Sequence, residues 1–291
     1  MKKIINKIFA PKTTNEQLNF SELIAENGKL VVFFPEDIAQ MHLLLRYLKS
    51  WEDTFTELEL YIPEYSCSYV KNLETAGNVK IKKLNETSGK LKNCIIFNFS
   101  GSLSIAKYLT KTEGCLIMDE TGNSGIKFVP KPESNVEMLL KFADFFNYKI
   151  KKCNLRFMRT DNSKITSQFY DNKFKDFTLQ LKSSKSMRFA DEIIRTMKLQ
   201  FSANMYLYGT KLKKDDYPNL KMIEAEDLLH LCEFALVSDL FFTDDAKIAK
   251  LMADLPMKLI YLGKEENKTI KNVEIKDVFE LKNIVNEMLN D

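Results

Sequence analysis

The stretch that decides the fold covers residues 241–263 and has the sequence "FFTDDAKIAKLMADLPMKLIYLG". Its apolar residues first run consecutively, then recur at helical spacing, then run consecutively again, which predicts a strand, a helix and a second strand. Open parallel sheets bind ligands at such strand-to-helix corners, where glycine lets the backbone approach phosphate oxygens. Here the corner is Thr243, Asp244, Asp245 and Ala246. The corner is therefore either a ligand site built without glycine or one that has lost its ligand.

The same alternation continues on both sides of this stretch. It begins with the strand "KLVVFF" at Lys29 and stops near residue 150, and it resumes with "FTLQLKSS" at Phe177. This pattern predicts an α/β protein with two Rossmann-like domains that face a cleft at the carboxyl ends of their sheets. The last helix, 277–290, is expected to cross back to the first domain. The predicted segments are an N-terminal extension 1–27, an N-terminal domain 28–150, a linker 151–176 and a C-terminal domain 177–291.

The composition is that of a globular protein with an ordinary core. Hydrophobic residues make up 45% of the 291 residues, which excludes wholesale disorder. The formal net charge is only +3, so nucleic acid is not expected as a partner. The chain has only nine glycines, and glycine-rich phosphate loops are correspondingly scarce.

The cysteines and histidines argue against a disulfide framework and a metal site. The five cysteines form no CxxC pair, and their scatter predicts reduced thiols in a cytoplasmic protein. Cys94, Cys115 and Cys232 each lie in an apolar run and are expected to be buried packing residues. The two histidines, His42 and His230, are far apart in the sequence, so neither a metal nor another cofactor is expected.

The N-terminus leaves two alternatives open. Ile4, Ile5, Ile8 and Phe9 share one helical face beside three lysines, which fits either a short helix packed on the protein or a peripheral contact with an anionic membrane surface. No apolar run reaches the length of a signal peptide or of a membrane span. We therefore expect a cytoplasmic protein, with peripheral attachment at the inner face of the membrane as the alternative.

Three corners between a strand and a helix carry side chains suited to ligand chemistry. At the first corner, Glu36 and Asp37 stand at a helix start, where a carboxylate serves either as a general base or simply as a helix cap. The third corner holds Thr243 and Asp244, and a helix cap is the alternative there too. The second corner, "LKSSKSMRFADE", offers hydroxyls and cations for a diphosphate, or a serine cap with solvated charges. Its candidate residues are Ser183, Ser184, Lys185, Ser186 and Arg188.

Residues 224–263, "EAEDLLHLCEFALVSDLFFTDDAKIAKLMADLPMKLIYLG", carry a resemblance to a known family. The order of a helix "DLLHLCEFA", a strand "LVSDLFFTDD" and a strand "DLPMKLIYLG" resembles the heptosyltransferases of glycosyltransferase family 9. In the N-terminal half, "VVFFPEDIAQMHLLLRYL" has Asp37 at the position of the family's aspartate. The resemblance extends over roughly residues 28–275, mostly as the order of elements.

The resemblance implies a GT-B-like fold and an inverting, metal-independent sugar transfer, with heptose as the family's usual sugar. A nucleotide-diphosphate sugar would be the donor, and a saccharide or lipid-linked saccharide of the cell envelope, such as lipopolysaccharide, the acceptor. The N-terminal domain would then take the acceptor and the C-terminal domain the nucleotide sugar. Asp37 would be the general base, with Lys185 or Arg188 neutralising the diphosphate. The remaining donor-binding residues would be Ser183, Ser184, Thr243 and Asp244.

A second interpretation keeps the fold without the chemistry. The family's glycine before the first-corner aspartate is Glu36 here, and the glycine of its third corner is replaced by Ala246 or Asp245, depending on a one-residue shift. A side chain at a phosphate-facing corner blocks the approach of backbone N–H groups, and an added carboxylate repels phosphate. These departures are typical of a catalytically inactive binding or scaffold protein.

Overall fold

The computed structural model describes residues 28–290, apart from 88, 114, 120–132, 146–149, 159–162, 170–172, 211, 265–270 and 273–277. The N-terminal extension 1–27, with its membrane-contact alternative, lies outside the described residues. The chain divides into two compact units between Met158 and Arg159, within the segment 151–176.

The first unit is a parallel sheet with helices in its connections. Its strands lie in the order β3-β2-β1-β4-β5, and every neighbouring pair is parallel. The chain adds β2 and β3 on one side of β1 and then returns to add β4 and β5 on the other, so the order reverses between β1 and β4. The elements are β1 Lys29–Phe33, α1 Ile38–Leu48, a 3₁₀ turn Lys49–Trp51, β2 Glu57–Ile62, α2 Glu64–Lys71, β3 Val79–Lys83, β4 Ile95–Asn98, α3 Leu103–Leu109, β5 Leu116–Asp119 and α4 Asn135–Phe145.

The core of the first unit explains why these residues form strands and helices. The four residues from Leu30 to Phe33 are fully buried, as expected for a central parallel strand covered on both faces. Trp51 lies edge-on to Phe142 and near Phe97, with ring centroids 6.1 Å apart in both cases. Helix α1 buries an apolar face that consists of Met41, Leu44, Leu45 and Leu48, together with His42.

The second unit is also a parallel sheet whose strand order reverses once. Its strands lie in the order β11-β10-β9-β6-β7-β8 and are parallel throughout, with the reversal between β6 and β9. The elements are α5 Ser163–Thr166, β6 Asp176–Gln180, α6 Ser184–Met187, α7 Ala190–Phe201, β7 Asn204–Tyr208, a 3₁₀ turn Lys214–Asp216, β8 Lys221–Ile223, α8 Leu228–Val237, β9 Leu240–Thr243, α9 Ala246–Met252, β10 Leu259–Tyr261, β11 Lys271–Asn272 and α10 Val278–Asn290.

The predicted fold class, two Rossmann-like α/β units, is confirmed. The final helix, which was expected to cross back to the first domain, belongs to the second unit. There α10 packs against α7 and contributes Leu281 and Val285 to the core. Residues 185–201 contain parts of two helices, because α6 ends at its C-cap Arg188 and α7 begins after Phe189.

The five cysteines are free thiols, as expected. Cys94 and Cys232 are fully buried. Cys115 is only partly buried, which corrects the prediction that it is a core residue. Within the described residues, no helix is long and apolar enough to cross a membrane, and no group of three or more His, Cys, Asp or Glu side chains is arranged to hold a metal ion.

Candidate functional site

The point of strand reversal in the second unit brings the second and third predicted corners together. Strands β6 and β9 are neighbours, and Gln180 pairs with Thr243 at their carboxyl ends. Thr243 is fully buried; its hydroxyl donates to Gln180 Oε1 at 2.9 Å and accepts from the backbone N–H of Asp245 at 3.1 Å. Thr243 therefore ties the two strand ends together.

Asp244 bridges the two corners with both oxygens of its carboxylate. Oδ1 accepts from the backbone N–H of Lys182 at 2.9 Å, and Oδ2 accepts from that of Ser183 at 2.8 Å. Two consecutive backbone N–H groups after a strand are the kind of donors that hold a phosphate in many α/β proteins. Here the protein's own carboxylate takes that place.

Asp245 caps the helix that follows. Its Oδ1 accepts from the backbone N–H groups of Lys247 at 3.0 Å and Ile248 at 3.3 Å, as an N-cap aspartate does. Its other oxygen lies 3.2 Å from the Lys182 ammonium group. The negative charge of Asp245 is therefore partly offset within the corner.

Three other predicted donor residues remain directed to solvent. Ser184, Lys185 and Arg188 are exposed, and in the described part of the chain neither Lys185 nor Arg188 has an ion-pair partner. Ser183 caps α6: its hydroxyl accepts from the Ser186 backbone N–H at 3.1 Å and donates to the Ser186 hydroxyl at 2.7 Å. Among the residues that the structure describes, the two cations of the β6–β9 corner thus have no salt bridge.

In the first unit, Asp37 stands at the carboxyl end of β1, beside the point of strand reversal. It is the N-cap of α1, and its Oδ1 accepts from the backbone N–H groups of Ala39 and Gln40, each at 3.1 Å. Glu36 beside it is exposed. The helix-cap alternative for Asp37 is therefore realised, and the cap holds the carboxylate in one orientation.

The other side of this reversal is a corner that the sequence analysis missed. At the end of β4, buried Asn98 accepts from the Ser100 hydroxyl at 2.7 Å and donates to Asp119 at 3.1 Å. Gly101 has φ +62°, and a Cβ added to it would meet no heavy atom within 4 Å. Ser102 then precedes α3. The sequence signal for this corner is "FNFSGSLS", a glycine between an apolar strand and a helix.

A buried ionic cluster lies in the sheet of the first unit. Glu59 in β2 contacts Lys82 at 2.8 Å and Lys29 at 2.9 Å, from the strands on either side. Burial by itself would raise the pKa of Glu59, but the hydrogen bonds and positive charges of Lys82 and Lys29 outweigh it and hold the pKa below its usual range. Burial, together with the charge of Glu59, raises the pKa of Tyr61 in the same strand.

The comparisons with solved structures agree with this architecture. A family 9 glycosyl transferase from Veillonella parvula superimposes with a TM-score of 0.58 at 12% identity, over 94% of this chain and 91% of that one. The E. coli heptosyltransferase WaaC, solved with ADP-2-deoxy-2-fluoro heptose, gives 0.55 at 9% identity over 89% and 99%. E. coli ADP-heptose lps heptosyltransferase II gives 0.54 at 8% over 90% and 98%.

The chain has the fold of the family 9 glycosyltransferases. The resemblance noted in the sequence is thereby confirmed at the level of the fold, which is GT-B-like. No family model matches the chain, and no curated protein matches it in sequence. At 8–12% identity the shared feature is the fold, so function has to be argued from the corners.

Proposed function

We propose that this glycosyltransferase-like protein binds a nucleotide-diphosphate sugar at the β6–β9 corner and transfers the sugar, with inversion, to a saccharide acceptor. The observation that carries the proposal is the pair of exposed cations, Lys185 and Arg188, beside the Ser184 hydroxyl. They stand where the strand order reverses, which is where doubly wound sheets bind ligands. An E. coli protein of the same fold was solved with an ADP-heptose analogue, which supports ADP-heptose as the donor to test first.

In the proposed complex, Lys185 and Arg188 contact the diphosphate, and the Ser184 hydroxyl donates to one of its oxygens. Charge-assisted hydrogen bonds of this kind strengthen as negative charge builds on the leaving group. Cationic side chains therefore supply the charge stabilisation, in a metal-independent reaction. Thr243, Asp244 and Ser183 shape the corner through the contacts they already make and do not bind the donor directly.

Asp37 is the proposed general base. It accepts the proton of the acceptor hydroxyl while that oxygen forms a bond to the anomeric carbon of the sugar. The bond from this carbon to the diphosphate breaks, and the electron pair leaves with the nucleoside diphosphate, so attack from the opposite side inverts the configuration. The cap contacts to Ala39 and Gln40 hold the carboxylate in place during the transfer.

The acceptor and the location follow from the same proposal. A saccharide or lipid-linked saccharide of the cell envelope, such as the lipopolysaccharide core, is the acceptor. The donor is a cytoplasmic metabolite, so the protein acts in the cytoplasm, with peripheral contact at the inner face of the membrane as the route to a lipid-linked acceptor.

Calorimetry with a panel of ligands tests the donor proposal. The panel contains ADP-heptose, other ADP- and UDP-sugars, ADP, and AMP as the matched control that lacks the second phosphate. We expect one nucleotide-diphosphate sugar to bind, and AMP to bind at least tenfold more weakly because it offers fewer charges to Lys185 and Arg188. Equal binding of ADP and AMP would contradict the assignment of the diphosphate to this corner.

A second candidate function is supported by a specific observation. The Asp244 carboxylate occupies the two backbone N–H groups after β6, and the Thr243 hydroxyl is engaged inside the corner. A corner whose hydrogen-bonding groups are already paired within the protein fits an inactive binding or scaffold protein on a glycosyltransferase fold. This candidate predicts that no ligand of the panel binds to the wild-type chain or to Asp244→Asn.

A further inference from the structure

Cys94 and Cys115 form a close thiol pair in the first unit. They come directly before the paired first residues of two neighbouring strands, Ile95 of β4 and Leu116 of β5. The backbone N–H of Leu116 donates to the Cys94 carbonyl at 3.0 Å, which extends the register to the cysteines. Their Sγ atoms are 3.4 Å apart. The pair is therefore set by the sheet itself.

The two thiols differ in exposure and in acidity. Cys94 is fully buried, whereas Cys115 is partly exposed. The hydrogen bond from Cys94 lowers the pKa of the Cys115 thiol to about 7. The same hydrogen bond, together with burial, raises the pKa of Cys94. Near neutral pH, Cys115 thus supplies an accessible thiolate while Cys94 keeps its proton.

We propose that Cys94 and Cys115 are a peroxide-oxidisable dithiol, a modification site separate from the proposed sugar transfer. The Cys115 thiolate attacks hydrogen peroxide: an S–O bond forms, the O–O bond breaks, and the hydroxide released takes up a proton to become water. Cys94 then attacks the sulfenic sulfur, the S–S bond forms, and the sulfenic oxygen leaves as a second water with the remaining protons. In sum, two thiols and one peroxide give one disulfide and two waters.

The position of the pair suits this chemistry. Neighbouring strands lie about 4.8 Å apart, within the range of about 4.4–6.8 Å between the Cα atoms of disulfide-bonded cysteines. The sulfur atoms therefore need only a local side-chain movement to bond. Both cysteines lie at the amino ends of their strands, at the opposite edge of the sheet from Asp37 and Gly101, so the bond fastens the edge strand β5 and leaves the corner residues unchanged.

Peroxide titration of the full-length native chain, followed by mass spectrometry of its peptides, tests the proposal. The wild type should lose two hydrogen atoms and yield one cross-linked pair of peptides that contain Cys94 and Cys115. In Cys94→Ser the reaction should stop at a sulfenic acid on Cys115 that dimedone traps. Cys153→Ser is the matched control, since Cys153 is also partly buried, and it should behave as the wild type.

Two readouts would overturn the proposal. One is an initial oxidation rate of Cys115 no faster than that of Cys153 in the same wild-type sample. The other is a wild-type product in which Cys115 carries sulfinic acid, or a cross-link to another chain, in place of the bond to Cys94. Because these readouts need neither donor nor acceptor, a failed sugar-transfer assay does not affect them.

Discussion

The two units reverse their strand order at equivalent places but fill the resulting corners differently. In the first unit, the β1–β4 corner has Gly101 in an open position with positive φ after β4, and Asp37 caps α1 after β1. In the second unit, the β6–β9 corner has no glycine, and Asp244 closes it by binding the backbone N–H groups of Lys182 and Ser183. One topology thus supports an open corner and a closed one.

A strand reversal provides a place for a ligand, and the residues at its corner determine which ligand can bind there. An open glycine corner leaves backbone groups accessible to a ligand. At a closed corner, only side chains outside the corner can contact a ligand, and here these are Lys185 and Arg188. In the proposed reaction the second unit holds an anion by these side chains, and the acceptor is assigned to the first unit.

The largest expected effect concerns Asp37, the proposed general base. Asp37→Asn should reduce turnover by about 10²- to 10⁴-fold, because an amide caps the helix but cannot accept the acceptor's proton. Donor affinity should stay within about twofold of the wild type, because Asp37 is not assigned to the donor. Rate and calorimetric assays on the same preparations check this, with the neighbouring Glu36→Gln as control. Full activity in Asp37→Asn would remove Asp37 from the mechanism.

The next effect concerns the cations of the closed corner. Lys185→Ala combined with Arg188→Ala should weaken the binding of a nucleotide-diphosphate sugar about a hundredfold, since each loses a charge-assisted contact of about 1.5 kcal/mol. Lys107→Ala, an exposed lysine of α3 in the first unit, is the control and should leave the affinity unchanged. If both variants bind alike in calorimetry, the donor does not lie at the β6–β9 corner.

The ionic cluster makes the stability of the first unit depend on pH. The pKa of Glu59 is lower in the folded protein than in the unfolded chain, where it is near 4.5. The ionised carboxylate therefore stabilises the fold at a pH above 4.5, and this contribution is lost as the pH falls through the folded-state pKa. Glu59→Gln should lower the free energy of unfolding by about 2 kcal/mol at pH 7, or about thirtyfold in the unfolding constant. The loss should become smaller as the pH falls below 4.5.

Fluorescence of Trp51, the single tryptophan, reports unfolding of the first unit alone. Glu64→Gln is the control, because its salt bridge with Lys83 is exposed and should contribute little. If Glu59→Gln loses the same amount of stability at pH 7 and at pH 3, the ionic cluster is not the source of the pH dependence.

The smallest effect concerns the carboxylate that closes the second corner. Asp244→Asn removes a negative charge beside the proposed diphosphate and retains only one oxygen acceptor, so the corner loosens. Affinity for the donor should rise about tenfold, or about 1.4 kcal/mol, while the melting temperature falls. Asp245→Asn is the matched control, because asparagine also caps α9. Weaker donor binding in Asp244→Asn would mean that the carboxylate assists the ligand.

The strands and helices could be predicted because their signals are local. The run "KLVVFF" and the stretch from Phe241 to Gly263 carry their periodicity within a few residues. The bridge from Asp244 to Lys182 could not be predicted, because it depends on β6 lying beside β9, a pairing of residues about sixty positions apart. The amphipathic face of α10 predicts that the helix packs on a core but does not specify which one. The open corner at Gly101 was predictable in principle, because its glycine follows an apolar strand.

Donor binding at the β6–β9 corner is tested most directly by a nuclear magnetic resonance titration of the backbone amides of the wild-type chain with the nucleotide-diphosphate sugar selected by calorimetry. We expect saturable shifts at Ser184, Lys185 and Arg188, and smaller shifts at Lys182 and Ser183, whose N–H groups stay bound to Asp244. Saturable shifts confined to the first unit, or no shift at the β6–β9 corner at any ligand concentration, would contradict this expectation.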